Sequence, residues 1–223
     1  MTGVVLQARL GSTRLPRKAL LPFGNGTLLE SCLRRLSRVP ADLYILATEP
    51  SSAPELGPRA EALGWKVFVG SEDDVLARYC GAVRDFGLSR VVRATGDNPF
   101  VSPEAAEVLL ADPGTVVSDY AAYQGLPLGF GVEVVRASAL LAAQAESSDP
   151  YEREHVCPFL YRRPERFRLH RPEAPESLLA PETRVTVDTR EDYEAVLAAA
   201  GECGFDPSSA SLVSWLLGPG GKA

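Results

Sequence analysis

The N-terminal segment of the chain carries cations and no acid. Within QARLGSTRLPRKAL lie four of them, Arg9, Arg14, Arg17 and Lys18. The whole chain has a formal net charge of −6, yet its first acidic residue is Glu30. Gly11, Ser12 and Thr13 add backbone N–H groups and hydroxyls, so the loop has the chemistry of a phosphate site. Arg14 and Lys18 are four residues apart and can reach one polyphosphate, although a solvated loop with scattered charge is the alternative.

Two aspartates, each directly after an apolar run, are candidate metal ligands. Asp97 follows RVVRAT in ATGDNP, and Asp188 follows RVTV in VTVDTREDYE. Mg²⁺ takes one or two carboxylates together with substrate phosphates and water. Two acids beside a cationic loop therefore indicate nucleotidyl or phosphoryl transfer. Both also have structural alternatives, because Asp97 fits a turn that bonds its own backbone and Asp188 or Thr189 can cap a helix.

Composition and missing motifs exclude several classes of protein. Neither GxxxxGK[ST] nor GxGxxG follows the first apolar run, which argues against P-loop kinases and NAD enzymes. A sequence pI near 5.1 argues against general nucleic-acid binding, and 2 histidines cannot build a His-based metal cluster. With no apolar run of about 18 residues and no signal-peptide layout, we expect a cytoplasmic protein that does not enter the membrane. The widely spaced cysteines are expected to be reduced and structural, namely Cys32, Cys80, Cys157 and Cys203.

Strands and helices alternate through the first half of the chain. Apolar runs predict four strands, at 3–8, 43–48, 66–70 and 90–95. Helix starts are predicted at the caps Thr27, Ser71 and Ser102, and a further short helix is expected to break or kink near Pro58. This alternation predicts a single α/β domain with a mostly parallel central sheet and helices on both faces. Ligands of such a sheet gather outside the carboxyl ends of its strands.

The second half is less regular. Four strands are predicted, in TVVSDY, GVEVVRA, RFRLHR and RVTVD, with the glycine-rich YQGLPLGFG between the first two. Helices are predicted at about 138–146 and 151–162 and from residue 190 onward. Within the second of these helices, Glu152 and Glu154 are expected on a solvated face. His155 is kept as a weak candidate for contact with a substrate.

The motifs resemble those of a known family. QARLGSTRLPRKAL is similar to the N-terminal signature of the CMP-sugar synthetases, the cytidylyltransferases that activate acidic sugars. Four further stretches resemble the SpsF-like branch of spore-coat polysaccharide biosynthesis: SEDDVLARY, VRATGDNPFVSP, YEREHVCPFLYRRPERFRL and VTVDTREDYE. The resemblance covers nearly the whole chain in the same order. Asn98 and Cys157 depart from it, standing where Cys and Thr are expected, and neither replaces a charged group.

The resemblance implies a Rossmann-like nucleotide-diphosphosugar-transferase fold that uses CTP. The implied triphosphate ligands are Arg9, Ser12, Arg14 and Lys18, with Gly11 in the same loop. Asp97 and Asp188 are implied to hold Mg²⁺, and Arg14, Lys18 and Asp97 to be catalytic. The base is implied to lie near Ala8, Ala47 and Thr48. The family also implies a nucleotide-binding half at about 1–120, and an acceptor and homodimerisation half at about 121–223.

The implied reaction is transfer of CMP from CTP to a sugar or sugar acid, with release of pyrophosphate. One alternative is a glycosyltransferase of the same fold, which would commonly need a DxD metal motif. The nearest string, EDD at 72–74, falls in a predicted first helical turn and so favours the cytidylyltransferase. Another alternative is a catalytically idle nucleotide-binding module. Retention of Arg14, Lys18, Asp97 and Asp188 argues against it, and pyrophosphate release separates all three.

Overall fold

Seven strands form a central sheet, and two short ones form a separate hairpin. The structure is a computed structural model that describes residues 1–222. In chain order the strands are β1 (Thr2–Gln7), β2 (Pro22–Phe23), β3 (Gly26–Thr27), β4 (Leu43–Thr48), β5 (Lys66–Val69), β6 (Arg90–Thr95), β7 (Tyr120–Ala121), β8 (Glu133–Arg136) and β9 (Leu169–His170). The sheet order is β5-β4-β1-β6-β8-β7-β9, and only β8 runs antiparallel to its neighbours. The predicted mostly parallel α/β sheet is confirmed.

Helices cover both faces of this sheet. They are α1 (Leu28–Leu36), α2 (Ala53–Glu61), α3 (Val75–Phe86), α4 (Pro103–Ala111), α5 (Pro113–Val117), α6 (Ala137–Glu146), α7 (Pro150–His155), α8 (Pro158–Tyr161), α9 (Arg190–Cys203) and α10 (Ser209–Leu217). Single 3-10 turns lie at Lys18–Leu20, Glu176–Leu178 and Pro219–Lys222. Within residues 1–222, none of the helices is long and apolar enough to span a bilayer.

Alternate residues of the central strands enter two different cores, as the pleat of a strand requires. Val5 and Val91 pack with α3, α6 and α8 on one face, whereas Val4 and Val92 pack with α1, α2 and α4 on the other. A third cluster joins α9 and α10 to Phe100, Phe130 and the β2–β3 hairpin. The strands are therefore buried on both sides, and their loops emerge at the two ends of the sheet.

Two of the predicted helix starts are confirmed and one is wrong. Thr27 and Glu30 form a reciprocal capping box, and the Ser102 hydroxyl accepts the Ala105 N–H at 2.9 Å. Ser71 does not cap α3. The cap is Asp74, whose carboxylate accepts the Ala77 N–H at 2.8 Å. The EDD string therefore precedes the helix and does not lie in its first turn.

Other helices and strands differ from the prediction because of local helix caps or long-range contacts. Helix α2 continues through Pro58 rather than breaking there. The first three residues of the predicted strand TVVSDY belong to α5, which begins early because Asp112 caps it. Of the six residues, Tyr120 alone belongs to a strand, β7. The predicted RVTVD strand is extended but lies outside the sheet, forming one isolated bridge between Leu128 and Arg184. The predicted helix at 151–162 is split into α7 and α8, and α10 was not predicted.

Candidate functional site

The carboxyl ends of β1 and β6 meet where the strand order reverses. From β1 the sheet extends through β4 and β5 on one side and through β6 on the other, which makes this a topological switch point. A cavity of about 380 Å³ opens there, here called the nucleotide cavity. Of the predicted site residues, Ala47 and Thr48 do not line it, and these do: Ala8, Arg9, Gly11, Ser12, Arg14, Lys18, Asp97 and Asp188.

The cationic loop after β1 is fixed by its own backbone and by a buried carboxylate. The carbonyl of Leu10 accepts N–H groups from Ser12 at 2.9 Å and Arg17 at 3.2 Å. The Leu10 N–H donates to the Ser52 hydroxyl at 2.8 Å, and that hydroxyl donates in turn to Glu49. Glu49 is 2% exposed. With the loop backbone tied at Leu10, Arg14 and Lys18 line the cavity, whereas Arg17 is exposed and pairs with Glu55 outside it.

Thr48 contacts the cavity wall from behind, through Ala8. Its hydroxyl is fully buried and donates to the Ala8 carbonyl at 2.8 Å, so it lies behind the cavity wall and does not line it. On the other side, the Gly96 N–H donates to the Gln7 carbonyl at 2.8 Å. A Cβ on Gly96 would lie 2.8 Å from the Cβ of Ala8, so glycine lets the ends of β1 and β6 approach this closely.

Lys18 brings the two predicted metal ligands together. Its Nζ lies 2.9 Å from Oδ2 of Asp97 and 3.0 Å from Oδ1 of Asp188. It also donates to the Val187 carbonyl at 2.9 Å. The Val187 N–H donates to the Asp97 carbonyl at 2.8 Å, so the RVTVD segment docks against the turn after β6. That docking explains why two residues far apart in sequence face one ammonium.

Within residues 1–222, Asp97 does not bond its own backbone in a turn and Asp188 does not cap a helix, which were the structural alternatives for these two residues. Thr189 caps α9 by accepting the Asp192 N–H at 3.2 Å, which leaves the Asp188 carboxylate facing the cavity. Burial alone would raise the pKa of Asp188, but the hydrogen bond and charge of Lys18, together with Arg14, lower it below its ordinary value. Arg14 Nη2 lies 3.1 Å from Asp188 Oδ1. The carboxylate of Asp97 accepts from Lys18.

The donor set fits a divalent cation that is shared with a substrate. The Lys18 ammonium shows that a positive charge is held between the two carboxylates. Mg²⁺ takes one or two carboxylates and completes its octahedron with phosphate oxygens and water. Among residues 1–222 there is no group of three or more His, Cys, Asp or Glu side chains arranged to hold a metal by themselves. A cation held here by two carboxylates would complete its coordination with water or with oxygens of a bound ligand.

The end of α7 forms one wall of the cavity. Arg9 Nη2 lies 3.0 Å from Oε1 of Glu154, and Glu154 and His155 both line the cavity. The expectation of a solvated face is wrong for Glu152, which is 3% exposed and accepts hydrogen bonds from Ser147 and Arg163. Glu154 is partly exposed, but it faces a predicted phosphate ligand rather than open solvent.

A strained turn ends α7 beside this wall. Val156 has φ 73° and ψ −60°, and the Cys157 N–H donates to the His155 carbonyl at 2.9 Å, which closes a three-residue turn. This γ-turn is rare, particularly for a β-branched residue, and such backbone costs about 1–3 kcal/mol. Burial of the Val156 side chain stabilises it. The turn breaks the helix predicted at 151–162 and leaves His155 at the cavity.

A model of the cytidylyltransferase family matches residues 4–199. The chain belongs to the cytidylyltransferase family. The matched range includes the cationic loop and both aspartates. A relative 36% identical over 221 residues is the spore coat polysaccharide biosynthesis protein SpsF of Bacillus subtilis (strain 168). The match covers 96% of this chain and 92% of that protein, and the predicted SpsF-like branch is confirmed.

Solved structures agree with this assignment. A cytidylyltransferase from Leptospira borgpetersenii serovar Hardjo-bovis (strain JB197) superposes with a TM-score of 0.87 at 28% identity, covering 96% of this chain and 93% of that one. A CMP:2-keto-3-deoxy-manno-octonic acid synthetase complexed with CTP shares the fold, with a TM-score of 0.67 at 17% identity over 90% of this chain and 98% of its own. The predicted Rossmann-like nucleotidyltransferase fold is confirmed.

Some cavity residues of this cytidylyltransferase were not predicted. Arg93 and Thr95 also line the cavity, and their spacing of two along β6 was the available signal that they share a face. Glu154 carried no such signal, because 145 positions separate it from Arg9. The four cysteines are free, and Cys32, Cys80 and Cys157 are buried. Burial raises the pKa of the Cys80 thiol to about 12, in keeping with a structural role.

Proposed function

We propose that the chain transfers CMP from CTP to a sugar or sugar acid and releases pyrophosphate, as a step in polysaccharide biosynthesis. The observation that carries the proposal is the convergence of Asp97 and Asp188 on Lys18 in a cavity also lined by Arg9 and Arg14. Family membership supports CTP as the nucleotide. The Bacillus relative is a spore coat polysaccharide biosynthesis protein, which supports the polysaccharide context.

In the proposed reaction an oxygen of the acceptor attacks the α-phosphorus of CTP. The bond from that phosphorus to the bridging oxygen breaks, and pyrophosphate leaves with the bonding electrons. Such transfers depend mostly on positioning and on stabilisation of charge. Arg14 and Lys18 would hold the triphosphate and the leaving pyrophosphate, assisted by the N–H group of Gly11 and the hydroxyl of Ser12. Mg²⁺ held by Asp97 and Asp188 would supply further charge neutralisation at the phosphate oxygens.

The first test is ligand-dependent thermal stability with CTP, UTP, GTP and ATP, each with and without Mg²⁺. A ligand at about 100 times its Kd adds about 2.7 kcal/mol to the free energy of unfolding. We expect the melting temperature to rise only when CTP and Mg²⁺ are both present. A nucleotide-sugar is tested alongside them. A rise in melting temperature with the nucleotide-sugar, and with none of the triphosphates, would instead favour the glycosyltransferase.

The second test is pyrophosphate release from CTP with a panel of sugars, sugar acids and sugar phosphates. We expect Asp97→Asn to lower the turnover number by about 100-fold or more, since charge-stabilising groups commonly contribute this much. Its melting temperature should stay close to that of the wild type. CTP binding without pyrophosphate release from any acceptor would favour the idle nucleotide-binding module.

We further propose a homodimer and a cytoplasmic location. The family resemblance supports the dimer, and the free cysteines support a reducing compartment. Light scattering on the purified chain tests the dimer, which should give about twice the protomer mass of 23.9 kDa. A mass equal to that of one protomer at micromolar concentration would contradict it.

A further inference from the structure

One ionisable side chain in the wall of the nucleotide cavity, His155, has no hydrogen-bond or ion-pair partner among residues 1–222. The other seven in that wall are bonded to a group of opposite charge: Arg9 with Glu154, Arg93 with Glu133, and Arg14 and Lys18 with Asp97 and Asp188. The residue is also exposed. The imidazole of His155 is therefore open to a substrate that enters the cavity.

The backbone around His155 holds its side chain at the cavity wall. The preceding residue, Glu154, contacts Arg9 at 3.0 Å, and the following residue, Val156, is buried in the core that includes β7 and β8. The imidazole also packs on the ring of Tyr151, with 4.3 Å between ring centres. Strained backbone such as that of Val156 persists where its surroundings fix it, and it is concentrated at functional sites.

The proposed reaction has a proton to remove. When the attacking oxygen of the acceptor belongs to a hydroxyl, its proton must leave as the bond to the α-phosphorus forms. A side chain that takes this proton is a general base, and histidine is the one most often used. The three carboxylates of the cavity wall are bonded to Lys18, Arg14 or Arg9. The unpaired imidazole is the group that remains for this task.

We propose that His155 is the general base of the transfer. This inference rests on the proposed function and adds the group that takes the proton. The unprotonated ring nitrogen of His155 accepts the hydroxyl proton while the hydroxyl oxygen forms its bond to the α-phosphorus. The bond from that phosphorus to the bridging oxygen breaks, and pyrophosphate leaves with the bonding electrons. The imidazolium then gives its proton to solvent, which this exposed residue reaches.

Charged groups on several elements bear on the protonation of this imidazole. They lie in the cavity wall, on α7 itself and on the segments that pack against α7: Tyr151, Arg153 and Glu154 on α7, Asp74 and Arg78 at the start of α3, Arg162 over the Tyr151 ring, Arg9, Arg14 and Lys18 after β1, Arg93 and Asp97 at β6, and Asp188 before α9. A bound triphosphate adds negative charge to this set. The titration of His155 and the pH dependence of turnover must therefore be compared in the same CTP complex.

The rate test follows single turnovers with enzyme in excess over CTP, using the most active hydroxyl acceptor of the pyrophosphate-release panel. The wild-type rate constant should rise with pH through one ionisation and then level off. His155→Gln keeps a polar side chain but has no base, so its rate constant should be lower by about 100-fold or more and should lose the rise at acid pH. CTP affinity should stay within about twofold of the wild type, because the predicted triphosphate ligands are unchanged.

The second histidine is the matched control. His170 pairs with Asp112 at 2.9 Å and does not line the nucleotide cavity. His170→Gln should keep the wild-type rate constant and its rise at acid pH. Because the chain has 2 histidines, these two variants also assign the imidazole signals in proton NMR spectra. The titration midpoint of His155 with CTP bound should coincide with that of kcat/KM for the acceptor at saturating CTP, which reports the same complex.

Three results would overturn the assignment. The first is a wild-type rate constant, or a rise at acid pH, that persists in His155→Gln. The second is an NMR midpoint about one pH unit or more from the kinetic one. The third is use of sugar phosphates alone as acceptors, because their attacking oxygen is already ionised. Failure of the proposed function looks different: the wild type would then neither bind CTP nor release pyrophosphate with any acceptor.

Discussion

The ammonium of Lys18 lies 2.9 Å from Oδ2 of Asp97, so a side chain of the protein occupies the position where a metal ion is proposed to bind. Two unit charges 4 Å apart interact by about 4 kcal/mol at an effective dielectric constant of 20. A metal ion bound there would therefore compete with this ammonium for the same carboxylates. A bound triphosphate offers Lys18 another set of anions. Binding of the metal and binding of the nucleotide should consequently be coupled through Lys18.

Lys18→Met should move the two affinities in opposite directions. In the absence of nucleotide, Mn²⁺ should bind about tenfold more tightly, a change of about 1.4 kcal/mol, because the competing charge is gone. CTP should bind about 10- to 100-fold more weakly, because a predicted triphosphate ligand is lost. Isothermal calorimetry measures both. Arg17→Met is the matched control, since Arg17 is exposed and pairs with Glu55. An unchanged or weaker Mn²⁺ affinity in Lys18→Met would show that no competition exists.

Glu154→Gln should strengthen CTP binding. The Arg9–Glu154 pair at 3.0 Å holds a predicted triphosphate ligand against a carboxylate, and both side chains are partly exposed. Such pairs contribute at most about 1 kcal/mol, so removing the carboxylate should increase CTP affinity by about two- to fivefold. Glu55→Gln frees Arg17 outside the cavity and should leave the affinity unchanged. Weaker CTP binding by Glu154→Gln would mean that the pair itself shapes the site.

The sequence allowed prediction of those parts of the site that depend on local pattern. The cationic loop and Asp97 each follow a buried strand, and parallel strands bring such positions to one edge of a sheet. The pairs Arg93–Glu133 and Arg9–Glu154 span 40 and 145 positions and follow only from tertiary packing. The alternation in RVTVD correctly indicated extended backbone. It could not show that the N–H groups of this segment bond to loops at Leu128 and Asp97 rather than to a strand.

The EDD string should act in folding and not in metal binding. Asp74 caps α3 and also accepts a hydrogen bond from Nε of Arg153 at 2.6 Å. Asp74→Ala should therefore lower the free energy of unfolding by about 1–2 kcal/mol and leave Mn²⁺ and CTP affinity unchanged. Asp73→Asn, an exposed neighbour, should change neither stability nor affinity. Loss of Mn²⁺ affinity in either variant would support the DxD glycosyltransferase instead.

Glu152 should make stability depend on pH in the acid range. Burial alone would raise its pKa, but hydrogen bonds from Ser147 and Arg163, with the charges of Arg163 and Arg162, lower it. An unfolded glutamate titrates near pH 4.3, at about its ordinary value. Because the folded pKa is the lower one, the stabilisation is present above the unfolded value and is lost as the pH falls through the folded value.

Glu152→Gln should therefore be less stable than the wild type at neutral pH, and the difference should shrink as the pH falls from about 5 to 3. Urea unfolding at a series of pH values measures the two free energies. Glu165→Gln, which changes an exposed glutamate, should show no such pH-dependent difference. A difference between Glu152→Gln and the wild type that stays constant down to pH 3 would show that the carboxylate contributes through packing and not through its charge.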